Sequence, residues 1–108
     1  MLQNGKYSVW YRTPRGEGMG TITLRNGQVS GGDAMLGYRG SFEEHGDRFK
    51  ANVSTWRHTA GEPSVFGLDE VNIHLEGKST AGITASCSGF AKQLPDLPFE
   101  VTLVRIAD

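Results

Sequence analysis

One cysteine, four prolines and no long apolar run are what this 108-residue chain has least of. A lone thiol, Cys87, rules out an intrachain disulfide framework and fits a reducing compartment. No stretch approaches the roughly 18 consecutive apolar residues of a membrane-spanning helix. The opening Met1-Leu2-Gln3-Asn4-Gly5 has neither the basic nor the apolar region of a secretory leader, so the expected location is cytoplasmic, with no membrane contact. Charge of one sign is missing too: 11 basic residues interspersed with 12 acidic ones leave a net charge of −1. Nucleic-acid backbones are held by clustered Lys and Arg, so direct nucleic-acid binding is not expected. His45, His58 and His74 show no ligand spacing, among themselves or to Cys87, and a metal site needs three or four convergent ligands. No nucleophile elbow or phosphate loop surrounds any Ser, His or Asp. No pair of convergent titratable groups can be placed, so neither an enzyme nor a cofactor is expected.

What the chain does have is glycine, 15 residues of it, and alternation. Asn4 to Thr13 interleaves aromatic or aliphatic residues with mostly polar ones and ends against Pro14, the pattern of a strand with one buried face. Tyr7, Val9 and Tyr11 share the inward parity, and Trp10 falls on the outward one. Met19 to Arg25 is a second strand. Asn26-Gly27 follows it, and both residues tolerate the positive φ of a type I′ hairpin turn. Gln28 to Ser30 returns and stops at Gly31-Gly32-Asp33, a sharp bend with Asp33 placed to cap a helical turn at Ala34-Met35-Leu36. Tyr38 to Glu43 is the fourth strand, and Arg48 to His58 the fifth, with Phe49, Ala51, Val53 and Thr55 inward and Trp56 outward.

Thr59 to Asp69 is the longest irregular piece, and its Val65, Phe66 and Leu68 predict a plug rather than a free loop. Val71, Ile73 and Leu75 alternate with polar residues. Gly77 to Thr80 reads as a turn, Gly82 to Phe90 as the return, and Gln93 to Pro98 as a proline-bounded loop. Phe99 to Ile106 closes the chain with Val101 and Leu103 inward. Cys87, beside Ala85, reads as a small core residue. About eight short strands, each with one apolar face and short connections, predict a single all-β domain over residues 1–108. The expected architecture is an eight-stranded antiparallel up-and-down barrel with at most short helical turns, since closure removes exposed sheet edges.

Asn4-Gly5-Lys6-Tyr7-Ser8, Gly16-Glu17-Gly18, Leu24-Arg25-Asn26-Gly27-Gln28, Ser30-Gly31-Gly32-Asp33 and Tyr38-Arg39-Gly40 together resemble the GrlR-type family, which includes a negative regulator of type III secretion. The similarity is dense in the first forty residues, and Gly31-Gly32-Asp33 to Tyr38-x-Gly40 is its most specific part. The resemblance implies a lipocalin-like barrel, often a homodimer, that binds a transcriptional activator rather than DNA. It also implies that an aromatic of the first strand stacks with a cation of the last, here Tyr7 with Arg105. In that family the turn after the fourth strand carries a continuous acidic run. Here Glu43-Glu44-His45-Gly46-Asp47 keeps three carboxylates with an interruption.

Two functional readings follow. In the first, the chain is a regulatory or adaptor protein that contacts a protein partner through Glu43, Glu44 and Asp47 and through one exterior aromatic patch containing Trp10 and Trp56. In the second, it binds a small apolar ligand in a lumen lined by Tyr7, Val9, Tyr11, Val53, Val71, Ile73, Leu75, Val101 and Leu103.

Overall fold

The computed structural model describes residues 2–108. Among the described residues no helix forms. The chain makes eight strands: β1 (Gly5–Thr13), β2 (Gly16–Arg25), β3 (Gln28–Gly32), β4 (Leu36–His45), β5 (Arg48–Arg57), β6 (Asn72–Thr80), β7 (Thr84–Ala91) and β8 (Leu94–Ala107). Each strand pairs antiparallel with the next, and β8 pairs back onto β1 to close the ring. At the seam Val9 lies opposite Leu103 and Tyr11 opposite Val101, with a bulge between Lys6 and Tyr7. The up-and-down barrel expected from alternation is the observed fold.

Alternation dictates the core. Tyr7, Val9, Ile22, Leu24, Phe49, Ala51, Ile73, Leu75, Val101 and Leu103 all point inward and are buried, Tyr7 completely. Residues between them face solvent. The Asn26-Gly27 turn is as predicted, with φ of 52° and 81°.

Three boundaries differ from the sequence reading. Gly77 to Thr80 is not a turn but the end of β6, with Ser79 buried; the reversal comes at Ala81-Gly82, with φ of 54° and 71°. Gly77 instead serves close approach, since a Cβ there would lie 2.3 Å from the Ser86 carbonyl oxygen. Gln93 to Pro98 is not a free loop, because β8 already begins at Leu94. The ladder to β7 is irregular between Gly89 and Ala91, and pairing with β1 starts only at Glu100. Pro95 and Pro98 therefore sit where a missing N–H costs no regular ladder bond. Finally, no helical turn follows Asp33: β4 starts at Leu36, and the bend is held by hydrogen bonds to the Asp33 side chain.

Turns β1–β2, β3–β4 and β7–β8 share one end of the barrel with the long β5–β6 connection. That connection crosses the mouth as a plug, as expected. Phe66 is buried, with its ring centroid 4.8 Å from that of Phe99. Removing a side chain of this size from water contributes about 1.5–3 kcal/mol. The strap is tied on both sides: Thr13 Oγ1 donates to the Val65 carbonyl at 2.7 Å and Thr55 Oγ1 to the Asp69 carbonyl at 2.8 Å. Arg57 fastens it further through Asp69 at 2.8 Å and the Thr59 and Glu62 carbonyls. Leu68 does not join the plug; it is exposed.

Candidate functional site

Packing the inward side chains leaves an apolar cavity of about 90 Å³. Seven of the nine predicted lining residues surround it: Val9, Tyr11, Val53, Ile73, Leu75, Val101 and Leu103. Tyr7 and Val71 do not line it. Tyr7 fills the opposite end of the barrel, where its hydroxyl donates to the Gln3 carbonyl at 2.5 Å. Val71 is buried where the strap rejoins β6. Alternation finds inward residues but not their height along the axis. It also missed Leu2, whose side chain helps line the cavity from below. For scale, a roughly 150 Å³ apolar cavity takes a benzene ring. No buried side-chain nitrogen or oxygen among the described residues lacks a hydrogen-bond partner. The lumen thus presents carbon and asks for no polar head group.

No convergent titratable groups are expected from the spacing of residues, yet the structure assembles three at the plugged mouth. Asp33 Oδ1 accepts from the backbone amides of Met35 and Leu36 at 2.9 and 2.7 Å. Its Oδ2 accepts from the Tyr11 hydroxyl at 2.5 Å and from the Tyr38 hydroxyl. Burial works to raise the Asp33 carboxyl, but the bonds from Tyr11, Tyr38 and the two amides outweigh it and hold the group below its ordinary 3.8. Burial and then the Asp33 bond push Tyr11 up to about 12, and the same causes raise Tyr38 further. An acid held ionised and two phenols held protonated are each moved away from neutrality, the reverse of what acid–base catalysis needs. The cluster is a clasp joining β1, β4 and the β3–β4 bend.

The expected stack of Arg105 on Tyr7 does not form. The two are cross-strand partners. However, Arg105 donates from Nε and Nη2 to the Asn4 carbonyl, at 3.1 and 3.0 Å, and pairs with Asp108. The ring that carries a cation is Trp56, with the Arg39 guanidinium carbon 5.9 Å from its centroid.

The predicted partner-binding residues are not brought together. β1 and β5 lie four strands apart around an eight-stranded ring, so Trp10 and Trp56 occupy opposite sides and form no common patch. Trp56, 39% exposed, lies over Gly37, where a Cβ would be 2.3 Å from the indole. Its packing role is local. Trp10, 51% exposed, is the freer one, and directly across from it Met19 is 54% exposed. Val104 and Ile106 on β8 add exposed apolar surface on the other flank of β1.

The carboxylates also diverge. Glu43 faces out opposite Lys50, Glu44 turns into the end of the barrel opposite the plug and accepts from the Leu2 amide at 2.7 Å, and Asp47 pairs with Lys78 at 3.5 Å. Neighbouring residues on a strand point to opposite faces, so Glu43-Glu44 cannot present two charges to one partner.

His74 lies between Asn52 and Glu76, at 3.2 Å from each, and His58 Nε2 is 3.0 Å from the Asp33 carbonyl oxygen. Among the described residues no three metal-ligating side chains converge. Burial raises the Cys87 thiol to about 12, which makes it inert near neutrality.

No protein-family model matches the sequence, and no curated protein does either. Among solved structures the chain is similar to a redesigned beta barrel, at 12% identity and a TM-score of 0.69, over 95% of this chain and 90% of that one. The likeness is one of fold.

Proposed function

We propose that this chain is a non-enzymatic regulatory or adaptor protein that binds another protein, in the manner of the GrlR-type negative regulators it resembles. The carrying observation is the outer face of β2, β1 and β8. There Trp10 and Met19 stand exposed side by side, with Val104 diagonally across on β8 and Ile106 further along the same strand. Exposed Trp and Met on neighbouring strands are the side chains that anchor protein interfaces. The interior, filled to a residue of about 90 Å³, leaves the exterior as the main working surface.

The partner implied by the resemblance is a transcriptional activator, and the mode of action is sequestration: occupying its surface lowers the free activator concentration by mass action. The reading moves the contact from the acidic turn to the Trp10 face, because two of the three carboxylates already have partners. The test is co-purification with the transcriptional activator encoded nearest to this chain, comparing wild type with Trp10→Asp. The exposed site predicts unchanged stability and at least about tenfold weaker capture. Equal capture by both proteins overturns the reading. A wild-type dimer that Trp10→Asp dissociates, seen by light scattering, would assign the face to a second copy instead.

A second reading, favoured by the apolar cavity, is an intracellular binder of a small ligand without polar groups. Titration with xenon, a probe smaller than benzene, read from the methyl signals of Val9, Val101 and Leu103, decides it: no saturable shift removes this reading.

A further inference from the structure

Register sets the outside of the barrel in rows that cross from strand to strand. One row runs Glu43, Lys50, Glu76, Ser88, Glu100 and Arg12. On each side of the neutral Ser88 its neighbouring charges are opposite in sign, and Lys50–Glu76 at 4.0 Å and Arg12–Glu100 at 2.6 Å are ion pairs. The adjacent row, one step nearer the β4–β5 turn, runs His45, Arg48, Lys78, Ser86 and Thr102. It holds an imidazole, two cations and two hydroxyls, and no carboxylate.

Like charges placed directly opposite destabilise a sheet, and Arg48 sits directly opposite Lys78. Lys78 has Asp47 of the hairpin turn at 3.5 Å. Arg48 has no carboxylate within ion-pair distance among the described residues. The second row, with Lys50, Glu76, Ser88 and Glu100 of the first, lines a groove of about 610 Å³ on the outer surface, and both carboxylates of its lining are already ion-paired, Glu76 with Lys50 and Glu100 with Arg12.

We propose that this groove receives an acidic segment of a partner protein, with one of its carboxylates seated between Arg48 and Lys78. A negative group there gives Arg48 and Lys78 the opposite charge that Lys50 already has in Glu76 one row away. Guanidinium, ammonium and the exposed Ser86 hydroxyl supply the donors that an oxyanion accepts from. The row ends at Thr102, the cross-strand partner of Trp10. The groove therefore runs up to the aromatic face, and one partner can reach both. The choice of a protein segment rather than a free anion rests on the protein-binding reading above.

The test titrates isotope-labelled protein with a hexaglutamate peptide and, separately, with inorganic phosphate, following backbone amide shifts. Hexaglutamate is expected to shift Arg48, Lys78 and Ser86 saturably, with affinity falling between roughly 0.05 and 0.3 M salt. Arg48→Glu/Lys78→Glu should weaken it at least about tenfold, and Arg48→Gln/Lys78→Gln, the milder change, by less. No saturable shift, or an affinity unmoved in both double variants, overturns the proposal. Phosphate binding without hexaglutamate binding overturns it as well, in favour of a free-anion site. Trp10→Asp separates the two readings: it should weaken activator capture at least about tenfold and leave hexaglutamate binding intact. Capture lost in that variant with no hexaglutamate binding in wild type sinks the groove alone. Hexaglutamate binding with activator capture untouched by Trp10→Asp sinks the aromatic face alone.

Discussion

At the scale of the residue, Asp33 ties a turn to two strands. It caps the β3–β4 bend and at the same time accepts from two tyrosines on different strands. Asp33→Asn keeps the capping oxygen but turns an amide NH₂ towards the phenols and removes the charge. Charge-assisted hydrogen bonds contribute about 1.5–3 kcal/mol, so urea unfolding at neutral pH should show a loss of roughly 2 kcal/mol.

The pH dependence follows from the sign of the shift. The folded Asp33 carboxyl lies below 3.8, so its stabilisation is present above that value and is lost as pH falls through and below it. The difference between wild type and Asp33→Asn should close in that acid range; a gap that persists there contradicts the clasp. At the other extreme, Tyr11 resists ionisation up to about 12 against an ordinary 10.0, so stability should decline from pH 10 upward.

Half of this residue's role was legible. Gly-Gly-Asp announced a capped bend. A Cβ on Gly31 would lie 2.1 Å from the Thr21 carbonyl oxygen and one on Gly32 2.6 Å from that of Leu36, so the bend admits no side chain at either. The tyrosine partners were hidden, because Tyr11 reaches Asp33 across the mouth and no local spacing marks it.

At the scale of the element, the strap over residues 58–71 is what distinguishes this barrel from a plain set of hairpins. Alternation ends there, and its three apolar residues, Val65, Phe66 and Leu68, predict that it turns inward, which holds for the first two. That Leu68 stays outside was not readable, since nothing in sequence fixes the path of an irregular segment. Phe66→Ala removes the ring that meets Phe99 and should cost about 3 kcal/mol, the lower end for a buried Phe. The vacated volume adjoins the existing cavity. Xenon or benzene should therefore occupy the variant more strongly than wild type, read by methyl chemical shifts. A variant as stable as wild type would mean that the strap is not part of the core. The proline-bearing start of β8 shows the opposite error: Pro95 and Pro98 read as loop, because composition cannot reveal that their neighbours' ladders are interrupted at that point.

At the scale of the whole molecule, strand number, order and inward parity all followed from the period-two pattern, because a one-residue slip would expose the entire core. Function was less legible, and for a geometric reason. Whether two outward side chains meet depends on how many strands separate them around the ring, and only closure fixes that count. Hence Trp10 and Trp56 looked alike in sequence and lie on opposite walls. The row of His45, Arg48 and Lys78 was likewise invisible, since its members lie up to 33 positions apart in the numbering and meet only in register.

The seam has one more consequence. Lys6 and Ala107 are cross-strand partners, so the two ends of the described chain meet. A circle of hairpins has no privileged starting point. Splicing the ends with a short linker and cutting the exposed turn at Gly46 would trade one distant closure for another of similar span. Such a circular permutant should refold at a rate within about tenfold of the parent, since mean sequence separation governs that rate. A collapse in rate or yield would reveal that the β4–β5 hairpin nucleates the barrel.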